Sequence, residues 1–141
     1  MNYLVAVLIS AVFLAGSCQG DHPENKCIRD FKDKNPACII HCKYNLYKFT
    51  DDKFNINDEH MRKLSDVLIK YKAVDAGKKT QVDQHLKKCK EEATKKSKTP
   101  NCERIMHYYS CLVDLRLIDY YKYNNAMKTY DNSIYMSRFS N

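Results

Sequence analysis

The stretch TPNCERIMHYYSCLVDL, residues 99–115, decides how the rest of the chain is read. Thr99 followed by Pro100 has the form of a helix start, with threonine as cap and proline at the first helical position. Beyond it, Ile105, Met106, Tyr109, Leu112, Val113 and Leu115 recur at helical intervals. Together they cover too wide an arc for a helix with one wet face, which predicts a central position. Cys102 and Cys111 lie nine residues apart on it. Nine residues turn a helix so that the two sulfurs point roughly 180° apart. This helix must therefore be tied to a different neighbour on each side.

Working outward, the same spacing persists. Cys38, Cys42, Leu46 and Phe49 mark one helix upstream, and Cys27 and Phe31 mark a shorter one that ends before Pro36. Cys38 and Cys42 share a helix face about 40° apart and are poorly aimed at each other. Asn57 reads as an N-cap, followed by Asp58 and Glu59 in a first turn that favours negative charge. Met61, Leu64, Leu68 and Tyr71 form the inner face of that helix, and Val82, Leu86, Cys89 and Ala93 the inner face of the next. The tyrosine-rich residues 119–136 predict one further helix or a pair. Three Gly and three Pro are spread over the 141 residues, and no hairpin turn dipeptide occurs. The fold class is all-α: a compact, disulfide-stapled helical domain of about five to six helices.

Composition narrows the class further. The chain carries 24 Lys+Arg against 17 Asp+Glu, a formal net charge of +7, and is 44% hydrophobic. One domain suits this length, and collagen-like, coiled-coil, low-complexity and multi-domain enzyme classes are excluded. Residues 1–20 contain no charged side chain. Tyr3 to Ala15 is apolar but for one Ser, and the small-residue run Ala15-Gly16-Ser17-Cys18-Gln19-Gly20 follows. This pattern reads as a secretory signal peptide over 1–20, with cleavage after Gly20 leaving a secreted domain over 21–141. The run is shorter than the about 20 residues a membrane span needs, so the product is not expected to cross a membrane. With Cys18 removed, Cys27, Cys38, Cys42, Cys89, Cys102 and Cys111 remain. An even count in an oxidising compartment implies three disulfides and leaves their connectivity open. Zinc fits less well, because no C-x2-C pair is present.

Most of the net charge falls in one place. Residues 77–98 carry eight lysines against three acidic residues. Within that stretch, Lys87-Lys88-Cys89-Lys90 and Lys95-Lys96-Ser97-Lys98 both follow a basic-basic-any-basic order. Closely spaced ammonium groups can meet sulfates or phosphates along an extended polymer, driven by counterion release. The candidate polyanion-binding residues are Lys78, Lys79, Lys87, Lys88, Lys90, Lys95, Lys96 and Lys98. The plainer reading is a solvated helix face, on which Glu91 and Glu92 pair with lysines four residues away. His22, His41, His60, His85 and His107 form no H-E-x-x-H, no glycine-rich phosphate loop occurs, and no mature cysteine is left over as a nucleophile. No enzyme activity, metal or cofactor is expected. Tyr108, Tyr109, Tyr120, Tyr121, Tyr123, Tyr130 and Tyr135 read as core packing rather than as base-stacking aromatics. Export makes intracellular nucleic acid a poor partner, and a monomer is expected.

The C-x3-C of Cys38 and Cys42, with the C-x8-C of Cys102 and Cys111, resembles the insect odorant-binding superfamily. In that superfamily the first cysteine pairs with the third, the second with the fifth and the fourth with the sixth. The resemblance therefore implies Cys27–Cys42, Cys38–Cys102 and Cys89–Cys111. Two features depart from ordinary odorant carriers: only ten residues separate Cys27 from Cys38, and a long tyrosine-rich tail follows Cys111. Both are similar to the small odorant-binding-like proteins of sand fly saliva. That likeness implies a secreted salivary protein that binds heparin-like glycans, polyphosphate or procoagulant surfaces and so inhibits contact-pathway coagulation. The alternative is a carrier of a small hydrophobic or amine ligand inside the helical bundle. The short stretch before Cys38 counts against the carrier, because it removes part of a wall that would enclose a cavity. A filled core with lysines exposed in one field would favour the first reading, and a contiguous apolar cavity the second.

Overall fold

The computed structural model describes residues 20–114 and 116–140. They form α1 (Pro23–Phe31), α2 (Cys38–Leu46), α3 (Asp58–Lys70), a 3-10 turn (Ala76–Lys78), α4 (Lys79–Lys96), α5 (Cys102–Leu112) and α6 (Tyr120–Ser137). The described residues are all-helical, with no strand. The export signal expected over residues 1–20, apart from Gly20, lies outside the described residues. The tyrosine-rich segment is one helix, not a pair.

Local chemistry sets the boundaries. The Asn57 side chain accepts the His60 N–H at 2.9 Å, and His60 Nδ1 accepts the Asn57 N–H at 3.2 Å, a reciprocal cap on α3. Asp119 caps α6 by accepting the Lys122 N–H at 2.9 Å. The start expected at Thr99-Pro100 is corrected: α5 begins at Cys102, and Asn101 is its cap. Asn101 is extended, which lets its carboxamide oxygen accept the Arg104 N–H at 3.0 Å. The helix expected to run to Phe49 also stops early, at Leu46. Lys48 turns into the left-handed region (φ 64°), and the Phe49 N–H donates back to the Tyr44 carbonyl at 2.8 Å. The end of α3 repeats this, with Lys72 at φ 61° and the Ala73 N–H on the Leu68 carbonyl at 2.8 Å. Glycine normally holds this position, and a lysine there costs about 1–2 kcal/mol. Burial of the next residue, Phe49 or Ala73, offsets the strain.

The helices touch in a closed ring, in the order α1, α2, α5, α4, α3, α6 and back to α1. Three disulfides staple one side of it. Cys27–Cys42 joins α1 to α2, Cys38–Cys102 joins α2 to α5, and Cys89–Cys111 joins α4 to α5. The remaining side, through α3 and α6, is held without covalent links. Buried Asp131 of α6 accepts the Tyr47 hydroxyl at 2.6 Å and the Glu24 N–H at 2.8 Å, with His22 Nδ1 at 3.3 Å. His22 in turn stacks on Tyr135. One carboxylate thus closes the ring where α1, α6 and the end of α2 meet.

Inside the ring, Tyr44, Tyr47, Phe49, Tyr108, Ile105 and Leu112 are all fully buried, as are leucines from α3 and α4. The inner face of α5 runs Ile105, Tyr108, Leu112, while Met106, Tyr109 and Val113 are half-buried. The Tyr44 and Tyr123 hydroxyls lie 2.6 Å apart. Burial pushes the phenols of Tyr44, Tyr47, Tyr108 and Tyr123 above their ordinary value of 10.0, and for Tyr47 the Asp131 carboxylate adds to the effect. Above about pH 10 the unfolded chain releases these protons and the folded one retains them, so stability falls as pH rises further. Phenolate absorbance from these four residues should therefore appear only together with loss of helical circular dichroism. Ionisation of these four phenols with the helices intact would contradict this packing.

Candidate polyanion interface

Helix α4 carries most of the candidate lysines because its sequence divides cleanly. Val82, Leu86, Cys89 and Ala93 recur at steps of four, three and four and are buried against the ring. The positions between them are free to be charged. At 100° per residue, Lys87, Lys88 and Lys95 share an outward arc of roughly 100°. Lys79 and Lys90 lie on one flank and Lys96 on the other, while Lys78 and Lys98 flank the helix ends and are exposed. Six lysines are therefore gathered on α4 and two at its ends, but they do not form a single stripe.

Their pairing differs. Lys79 Nζ lies 2.8 Å from Asp66 of α3 and 3.8 Å from Asp83, and Lys88 lies 3.8 Å from Glu92. Of the intrahelical pairs expected with Glu91 and Glu92, Lys88–Glu92 alone comes within ion-pair distance among the described residues. Lys78, Lys87, Lys90, Lys95, Lys96 and Lys98 have no acidic partner within 4.0 Å among those residues. Lys95 and Lys96 occupy the last turn of α4, where cations also complement the helix dipole.

Sequence reading missed Arg104. It follows the break between α4 and α5, yet its Nε donates to the Ser97 carbonyl at 2.8 Å and its Nη2 to the Lys98 carbonyl. This brings a further cation beside the end of α4. The signal was absent because Arg104 belongs to a segment of balanced charge, and only folding brings it back toward Lys90.

Other clusters have structural explanations. His85, Cys89 and Cys111 gather within 4.8 Å, but both sulfurs are consumed in a disulfide and offer no thiolate to a metal. His22 contacts Asp131, His41 Nε2 lies 2.9 Å from the Asp51 carbonyl, and His60 caps α3. The described surface depressions, about 270–390 Å³ each, are open to solvent.

The six-cysteine staple on a helical ring is matched by a family pattern covering residues 17–114, that of the PBP/GOBP family. The chain belongs to the PBP/GOBP family. The chain is also 56% identical over 138 residues to Ayaconin of Lutzomyia ayacuchensis, spanning 98% of this chain and 96% of that one. Salivary protein 15a of Phlebotomus duboscqi is 39% identical over 140 residues, spanning 95% and 99%, and salivary protein 15b of the same species is 38% identical over 140 residues. The chain is thus an odorant-binding-like protein similar to sand fly salivary proteins. The PBP/GOBP match ends at residue 114, before α6, whereas the likeness to Ayaconin runs through it. No helix of the described residues is long and apolar enough to cross a membrane.

Proposed function

We propose that this PBP/GOBP protein is a secreted, non-enzymatic binder of anionic polymers and surfaces. By coating heparin-like glycans, polyphosphate or procoagulant surfaces it denies them to clotting zymogens and so inhibits contact-pathway coagulation. The observation that carries the reading is the set of six lysines along residues 78–98 without acidic partners among the described residues. Four of the six ride on α4, whose buried face packs on the core. An ammonium group without a carboxylate neighbour keeps its full attraction for a phosphate or sulfate. Further support comes from the interior, which aromatic side chains of this chain already occupy. The likeness to salivary proteins supports secretion.

The test is clotting of plasma triggered in two ways. The protein should prolong clotting started by an anionic surface and leave clotting started without one unchanged. Equal prolongation of both would overturn the reading.

One observation favours the carrier. The Tyr108 hydroxyl is buried with no hydrogen-bond partner among the described residues, beside the Tyr44–Tyr123 pair. A polar group of an enclosed amine or hydrophobic ligand would satisfy it. Saturable, salt-independent uptake of a fluorophore bearing one amine, weakened on Tyr108→Phe, would move the assignment to that reading.

A further inference from the structure

Lys90 leaves α4 on the flank turned toward residues 54–57. With Asn55, Asn57, Thr94 and Arg104 it lines a depression of about 300 Å³. No carboxylate lines this depression among the described residues. Its neighbour between α3 and α4 differs, because there Asp58 and Asp83 stand among Arg62, Lys79 and Lys87. The space takes one tetrahedral oxyanion together with several waters of about 30 Å³ each.

The donors are held before any ligand arrives. Arg104 is anchored through Nε and Nη2 on the Ser97 and Lys98 carbonyls, and Nη1 has no partner among the described residues. A planar guanidinium fixed in this way presents its remaining N–H groups in the fork that suits sulfate and phosphate. Lys90 Nζ has no acidic partner among the described residues. The oxygen of Asn57 is committed to the His60 N–H, so its amide nitrogen is the end left to donate. The facing wall is stiff. Asp51 accepts the Lys53 N–H at 2.9 Å, the Asn55 N–H at 2.8 Å and Asn55 Nδ2 at 2.9 Å. These bonds hold Phe54 in the left-handed region at φ 62°. A non-glycine residue kept in that region marks a loop whose shape is over-determined by its surroundings.

We propose that this depression is a discrete subsite for one sulfate or phosphate group of a bound polymer, with Lys90 and Arg104 as its paired cations. The inference rests on the polyanion reading and deepens it. The outward lysines supply a diffuse attraction, and the subsite fixes where along the polymer the protein sits.

Two arms test it. In the first, free inorganic sulfate and free inorganic phosphate are titrated separately into the protein at constant ionic strength, followed by side-chain and backbone NMR signals. Saturable shifts are expected at the Arg104 Nη1–H group, the Asn57 carboxamide and residues 55–57, and Lys90→Gln should remove them. Small, unsaturated shifts spread evenly over the α4 lysines would overturn the subsite. Stronger response to sulfate assigns a glycan-type polymer, and stronger response to phosphate a polyphosphate. In the second arm, Lys90→Gln should weaken binding of heparin or polyphosphate about tenfold, against about twofold for Lys95→Gln. Equal losses would overturn the subsite and leave the polyanion reading standing. Localised shifts with the free anions, without polymer binding, would support the subsite while overturning the polymer reading. The Lys90 ammonium has no acidic partner among the described residues, so helical circular dichroism should be unchanged in the variant.

Discussion

With Lys87, Lys90, Lys95 and Lys96 reversed to Glu in one variant, affinity for a heparin-like polymer or polyphosphate is expected to fall by about a thousandfold. Each reversal removes a counterion-releasing contact and adds a repulsive one. None of the four lysines has an acidic partner among the described residues, so no local pair compensates. The control reverses the same number of positive charges at Lys26, Arg29, Lys32 and Lys34. Two of these already spend their charge internally, Lys26 on Asp30 and Arg29 on Asp21. The control should therefore lose far less affinity. Both variants should fold, because exposed lysines contribute little to stability. The α4 variant should also lose its effect on surface-triggered clotting. Equal losses from the two variants would mean that overall charge, and not α4, carries binding.

Removing Cys38–Cys102 by paired alanine substitution should be the most costly loss among the three disulfides. It spans 64 residues of sequence, against 15 for Cys27–Cys42 and 22 for Cys89–Cys111. Loop-closure entropy then gives about 4.3 kcal/mol for the long bridge and about 3.1 and 3.4 kcal/mol for the others. The long bridge is also the link between the α1–α2 pair and the α5–α4 pair. Denaturant unfolding of the three paired variants measures the order directly. A larger loss from either short bridge would show that native contacts, and not chain closure, dominate.

Much of this fold is legible in the sequence, and the exceptions have physical causes. Apolar spacing reports the helices because each must bury a stripe against the ring. Asn57, Asp58 and Glu59 announce the start of α3 because a cap is a local event, visible within four residues. The ends of α2 and α3 are not announced. Lys48 and Lys72 stand where glycine would be the signal, and what makes them tolerable is burial of Phe49 and Ala73, which is tertiary. The start of α5 moves from Thr99-Pro100 to Asn101 because the cap is the residue whose oxygen reaches the Arg104 N–H, which folding decides.

The candidate interface was only half legible. The surplus of lysine over residues 77–98 is a count, but which lysines keep their charge free is geometry. Lys79 is neutralised by Asp66, which lies on another helix, and Glu91 forms none of its expected pairs among the described residues. Arg104 and the wall at residues 54–57 join Lys90 through folding alone. The closure of the ring at Asp131 was equally hidden, because its partners Glu24 and Tyr47 are 107 and 84 residues away in sequence.

The most direct measurement is the affinity of the unmodified protein for heparin and for polyphosphate across a range of sodium chloride concentrations. With about four to six lysines releasing counterions, log K should fall linearly against log salt with a slope of about −3 to −5. A slope near zero would contradict polyanion binding through these lysines.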